Sequence, residues 1–148
     1  KILRYFSYIY YWLFIIKSIE SYKSNPTINP VEILYKNNAR SLLFQLEGLA
    51  RIEKKIGINK KYFDDLLIEY KAIEDALGKF DYYFDILEKS KIWNIDYKVE
   101  EYLKQQLFIQ IGLTEQVLIK YKWIKKNKEN NNDKCKEIYR QGFIGRSP

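Results

Sequence analysis

The chain has 148 residues, of which 30% are charged and 17% aromatic, with a net charge of +7. That is the composition of one folded domain rather than of a disordered segment. It holds no His and a single Cys, Cys135, so there is no imidazole base, catalytic triad, internal disulfide or His-containing metal site; we expect a non-enzymatic protein with no cofactor.

The first predicted helix runs from about Ile2 to Tyr22. Its core stripe is Ile2, Phe6, Ile9, Leu13 and Ile16. Tyr5, Tyr8, Trp12 and Ile15 make the other faces apolar as well, which implies burial on every side. The uninterrupted apolar part, Tyr5 to Ile16, falls short of the roughly twenty residues a bilayer span needs. Tyr5, Tyr8, Trp12 and Ile15 are therefore the candidate anchors of a protein interface, with another protein or a second copy as partner; lipid contact through this helix is the alternative. The chain starts at Lys1 rather than Met, so we expect a fragment or a processed form. Nothing in it reads as a cleavable signal peptide, and the expected compartment is the cytoplasm or another reducing one.

The second predicted helix opens at Asn29-Pro30-Val31-Glu32, a capping Asn followed by Pro at the first helical position. Its expected stripe is Tyr35, Ala39, Leu42, Leu46, Leu49 and Ile56, ended by Gly57. The joint to the next helix, Gly57-Ile58-Asn59, is short enough to imply an antiparallel pair.

The third predicted helix follows the capping Asn59. Phe63, Leu66, Tyr70, Ile73, Leu77, Phe80, Phe84 and Leu87 recur at alternating steps of three and four, the signature of one buried helical stripe. Glu74, Asp81, Asp85 and Glu88 read as a solvated face of the same helix. Ser90 to Asp96 is expected as a turn, with Trp93 folded onto the end of the bundle. Gly48, Gly78 and Gly112 each interrupt a predicted helix at a cost of about 1 kcal/mol, so each marks either a close approach or a tolerated position.

The fourth predicted helix spans about Tyr97 to Lys126 and buries Leu103, Leu107, Ile111, Leu118 and Tyr121. Its middle carries Gln105, Gln106, Gln110, Thr114 and Gln116, the makings of a polar layer in the seam. Residues 120–148 hold a net charge of +6 against +1 for the rest. Within them Tyr121 and Trp123 lie among lysines, a pattern that suits phosphates and bases or headgroups; a solvated helix end whose cations complement the helix dipole has the same residues. The candidate anion-binding set is Lys122, Lys125, Lys126 and Lys128, with polyphosphate, nucleic acid or anionic lipid as partner.

The fold expected is all-α, an antiparallel bundle of about four long helices over residues 1–126 with a basic polar tail over 127–148. Between Val31 and Leu87 the chain resembles the CHAD domain, a helical-bundle family that binds polyphosphate through a basic surface. Asn37-Asn38-Ala39-Arg40 stands where the family has a His-x-x-Arg helix start, and Leu77-Gly78-Lys79-Phe80-Asp81 where it has Leu-Gly-x-x-Arg/His-Asp. Arg40, Leu77 and Gly78 match, whereas Asn37 replaces the His. The resemblance implies a helical fold and a polyanion contact that includes Arg40, with Lys36 beside it.

Overall fold

The structure, a computed structural model, describes residues 29–57 and 59–124 together with Leu13 and Lys17. Among these, 88% are helical and none lies in a strand. Four helices follow in chain order: α1 (Pro30–Lys36), α2 (Ala39–Ile56), α3 (Lys60–Trp93) and α4 (Tyr97–Lys120). They form an all-α helical bundle in which α3 is central, packed against α2 and α4.

α1 begins as its sequence dictates, with the Asn29 side chain accepting from the Val31 N–H at 2.8 Å and Pro30 in the first turn. The second predicted helix, however, is two helices. Asn38 adopts the left-handed conformation (φ 54°) and the chain restarts at Ala39. Two adjacent Asn residues explain the break: Asn tolerates this region better than other residues with a Cβ, and the Asn37 amide bonds back to the Ile33 carbonyl at 2.9 Å. The interruption resets the helical phase. The buried stripe of α2 is Ala39, Leu43, Leu46 and Ala50, while Leu42 and Leu49 are half-buried and Ile56 is exposed. Gly57 ends α2 in the left-handed region (φ 90°), as its position suggests.

α3 carries its eight-residue stripe inward throughout. Phe63, Leu66, Tyr70, Ile73, Leu77, Phe80 and Leu87 are buried and Phe84 packs against them. The helix does not stop at Ser90. The Ser90 hydroxyl donates to the Leu87 carbonyl at 2.7 Å, and helical geometry persists to Trp93. Trp93 is 64% exposed rather than folded onto the bundle end, because the helix carries it past its last neighbour. The turn reduces to Asn94–Asp96, and the Asp96 carboxylate caps α4 through the Lys98 N–H at 2.8 Å.

α4 buries Leu103 and Leu118 and half-buries Leu107 and Ile111. The polar residue in its seam is Thr114, fully buried, whose hydroxyl donates to the Gln110 carbonyl at 2.7 Å. None of the four glutamines of α4 is buried. α4 ends at Lys120, six residues earlier than its sequence pattern suggests. Lys122 takes the left-handed conformation (φ 62°), its N–H bonds to the Ile119 carbonyl at 3.0 Å, and the Trp123 N–H bonds to the Leu118 carbonyl at 2.8 Å. These two bonds make a Schellman motif, with the accompanying apolar contact supplied by Trp123 and Leu118 in one core cluster. Burial of Trp123 outweighs continuation of the helix.

Leu13, placed in a core stripe by its spacing, is 40% exposed.

The left-handed Lys122 holds a conformation that costs a residue with a Cβ about 1–2 kcal/mol. Lys122→Gly is expected to raise stability by about 1 kcal/mol, read as a higher urea midpoint with unchanged slope.

Candidate interaction surface

α3 holds four carboxylates on or near its contact with α2, and the packing sorts them. Glu74, which its spacing put on a solvated face, is 2% exposed because α2 lies over it. Its Oε1 accepts from Arg40 Nε at 2.6 Å and its Oε2 from Lys71 Nζ at 2.8 Å. Arg40 also reaches Asp81 at 3.3 Å, and Lys71 reaches Asp75 at 2.7 Å. The hydrogen bond to Glu74 is the main cause holding the Arg40 guanidinium even more firmly in its charged form. Bonds to Asp75 and then Glu74 do the same for the Lys71 ammonium, and Lys71 in turn holds the Asp75 carboxyl below its ordinary range.

Glu47 of α2 faces the same seam. It is buried; its Oε2 accepts from the exposed Arg51 at 3.3 Å and its Oε1 has no hydrogen-bond partner. Burial raises its pKa above the ordinary value near 4.5, against the opposing pull of Arg51 and Lys71. At the far end of the contact, Lys54 pairs with Asp64 at 2.5 Å.

The three residues that carry the CHAD resemblance meet in space. The Arg40 guanidinium lies over Gly78, where an added Cβ would stand 3.1 Å from it, and Arg40 and Leu77 line a small depression with Tyr35, Phe44 and Asp81. Gly48 and Gly112 have nothing near them. Gly78 therefore marks a close approach, and the other two are tolerated.

Arg40 and Lys122 are the site residues expected from sequence that fall among the described residues. Two carboxylates hold Arg40, and its ring neighbour is Phe44, 5.9 Å away. Lys122 is exposed. They lie by different carboxylates of α3: Arg40 spans Glu74 and Asp81, while Trp123, next to Lys122, donates its indole N–H to Glu69, five residues or about 7.5 Å below Glu74 along the helix. The indole also meets Tyr70 edge-on, with ring centroids 6.3 Å apart. Trp123 is thus a core residue and offers no ring to a base or headgroup. Tyr5, Tyr8, Trp12, Ile15, Lys125, Lys126 and Lys128 lie outside the described residues.

α4 carries a second apolar stripe besides its inner one. Val99, Tyr102, Ile109 and Leu113, with Gln106 and Gln116 in register, also recur at steps of three and four, and all four apolar members are exposed. Phe108 is 78% exposed on another side of the helix. Beside this ridge, between α4 and α3, runs a groove lined by Ala72, Ala76, Leu113 and Val117. No group of three or more His, Cys, Asp or Glu side chains among the described residues is arranged to hold a metal ion, and no described helix is long and apolar enough to cross a membrane.

Compared with known proteins, the chain matches no family model, no curated protein and no solved structure.

Two outcomes follow from the buried charge and the close glycine. Glu47 favours its protonated form in the folded state, so its contribution to stability is full below the ordinary value near 4.5 and is lost as pH rises through its raised pKa. Glu47→Gln is therefore expected to match the parent at pH 3.5 and to exceed it by about 1 kcal/mol at pH 7, measured by urea denaturation across pH. Gly112→Ala is expected to add about 1 kcal/mol, and Gly78→Ala less than that, since Arg40 must shift; equal gains would mean that Arg40 yields freely.

Proposed function

We propose that the chain is a non-enzymatic helical adaptor or scaffold domain whose protein contact is made through the outer face of α4. The observation that carries this is the second stripe, Val99, Tyr102, Ile109 and Leu113, each about half exposed or more. A stripe with coiled-coil spacing left open to solvent is the form a helix takes when a partner completes it. The absence of His and the mutual neutralisation of the seam's charged side chains support a binding role over catalysis.

The same reading takes the fold as an antiparallel bundle. Lys54 beside Asp64 and Arg40 beside Asp81 support reversal between α2 and α3. Thr114 near Ala76 and Trp123 at Glu69 support it between α3 and α4. The apolar segment from Ile2 to Tyr22 lies outside the described residues apart from Leu13 and Lys17; the basic sequence of residues 127–148, together with Lys122, engages an anionic partner, on the strength of the charge distribution alone. Polyphosphate binding of the CHAD kind is the weaker reading, since Arg40 would first have to leave Glu74 and Asp81.

A photo-crosslinking residue at position 109 is expected to yield one dominant protein adduct in the cells of origin, whether with another copy or with a different protein. The same residue at exposed Lys104, on the opposite flank of α4, is expected to yield none. No adduct from position 109, or identical products from both, would refute the proposed contact.

A further inference from the structure

The outer face of α3 is the floor of a trough with α2 on one side and α4 on the other. Three depressions follow one another along it, one against α2 and two toward α4, and Asp75 lines all three. They run from Leu67 to Tyr83, about 24 Å along the helix axis. Each holds about 400 to 590 Å³, the volume of a metabolite site, but joined end to end they have the length of four helical turns. Ala72 and Ala76, one turn apart, keep the floor low, and Leu113 and Val117 give an apolar wall. Small residues on the floor permit the close axial approach that helix packing requires.

The trough and the partners of its charged side chains hold five cations, Arg40, Arg51, Lys71, Lys79 and Lys120, against four carboxylates, Glu47, Glu74, Asp75 and Asp81, a net of +1. Arg51 is matched by Glu47, Lys71 by Glu74 and Asp75, and Arg40 by Glu74 and Asp81. Lys79 on the floor and Lys120 on the α4 wall have no salt bridge among the described residues, and both border the Ala72–Ala76 stretch. Lys120 rests instead over the Tyr121 ring, 5.2 Å from its centroid. Lys79 also acts on the Asp75 carboxylate without a salt bridge to it, so the small positive excess comes from the two lysines at the borders of the apolar strip, with Asp75, held by Lys71, between them.

We propose that this trough seats an acidic amphipathic helix of a partner protein, with the helix's small and aliphatic residues on Ala72, Ala76, Leu113 and Val117 and its carboxylates on Lys79 and Lys120. The inference rests on the adaptor role and gives the partner its chemistry. Helix-in-groove docking takes affinity from the apolar face, and charge complementarity sets which helix is accepted.

The test uses the full chain and a fluorescein-labelled 18-residue helical peptide with Leu and Ala on one face and Glu on its flanks. Saturable binding is expected, at least about tenfold tighter than for a scrambled peptide of equal composition or one with Lys in place of Glu. The double variant Lys79→Glu/Lys120→Glu changes two exposed side chains and leaves the core intact; it is expected to lose at least about tenfold for the Glu peptide and to gain for the Lys peptide. Ala72→Phe, checked for retained helicity, is expected to weaken binding by filling the floor. Equal binding of the scrambled peptide, or indifference to the charge reversal, would overturn the proposal. So would tighter binding of a 20-nucleotide single-stranded RNA lost in the same double variant, which would make the surface a polyanion contact. If the position-109 adduct forms while the peptide fails, the acidic-helix proposal falls and the adaptor role stands; if no adduct forms, the adaptor role itself falls.

Discussion

A helix of 34 residues, about 50 Å long, is too long for any single neighbour in this domain to cover. α3 has one unbroken apolar stripe along most of that length, and the remaining architecture follows from the need to bury it. α2, at 18 residues, reaches only part of the way. α1 covers a further stretch, its Tyr35 ring packed against Phe80 at 5.5 Å and Phe84 at 4.9 Å between centroids. α4 approaches from another side and closes with Trp123 against Tyr70. The break at Asn37-Asn38 lets one stretch of sequence lay two separately phased apolar faces on the same long helix.

Burial of that stripe also carries charge into the interior. Glu74 is sealed beneath α2, and the cost of desolvating it is met by two cations that approach from opposite sides, Arg40 and Lys71. A buried carboxylate with partners on two helices is a poor source of net stability but a strong constraint on how those helices align, because sliding α2 by one turn would strand the anion. Gly78 fits this arrangement. A residue with a side chain would press on Arg40, so the helix carries its least favourable interior residue at the point where the guanidinium crosses it.

The stripe of α3, the Asn29 cap with Pro30 and the Gly57 stop were legible in the sequence because each depends on local chemistry. Where the sequence pattern misled, a long-range contact outweighed a local preference at Glu74 and Trp123, and a local break did so at Asn38. Leu42 and Leu49 suited a continuous helix whose phase Asn38 resets. Glu74 looked solvated because sequence does not show which helix lies over it. Trp123 sat among lysines like a nucleic-acid contact, yet its indole is worth more in the core, and helix α4 ends early to place it there. The outer stripe of α4 was readable from the same periodicity that revealed the inner one. A helix in a globular domain is expected to have one buried face, and a second stripe departs from that pattern. The trough was not legible at all, since its lining comes from α2, α3 and α4, distant in the chain.

Trp123 and Trp93 end consecutive helices in opposite surroundings, one enclosed beside a carboxylate and the other facing water. Two of the chain's three tryptophans, the two among the described residues, therefore differ in the colour of their emission and in their access to quencher. Loosening of the α3–α4 closure would shift the enclosed indole toward the red while leaving the exposed one unchanged, so that with Trp12 replaced by Phe that end of the fold reports optically on its own integrity without any added label.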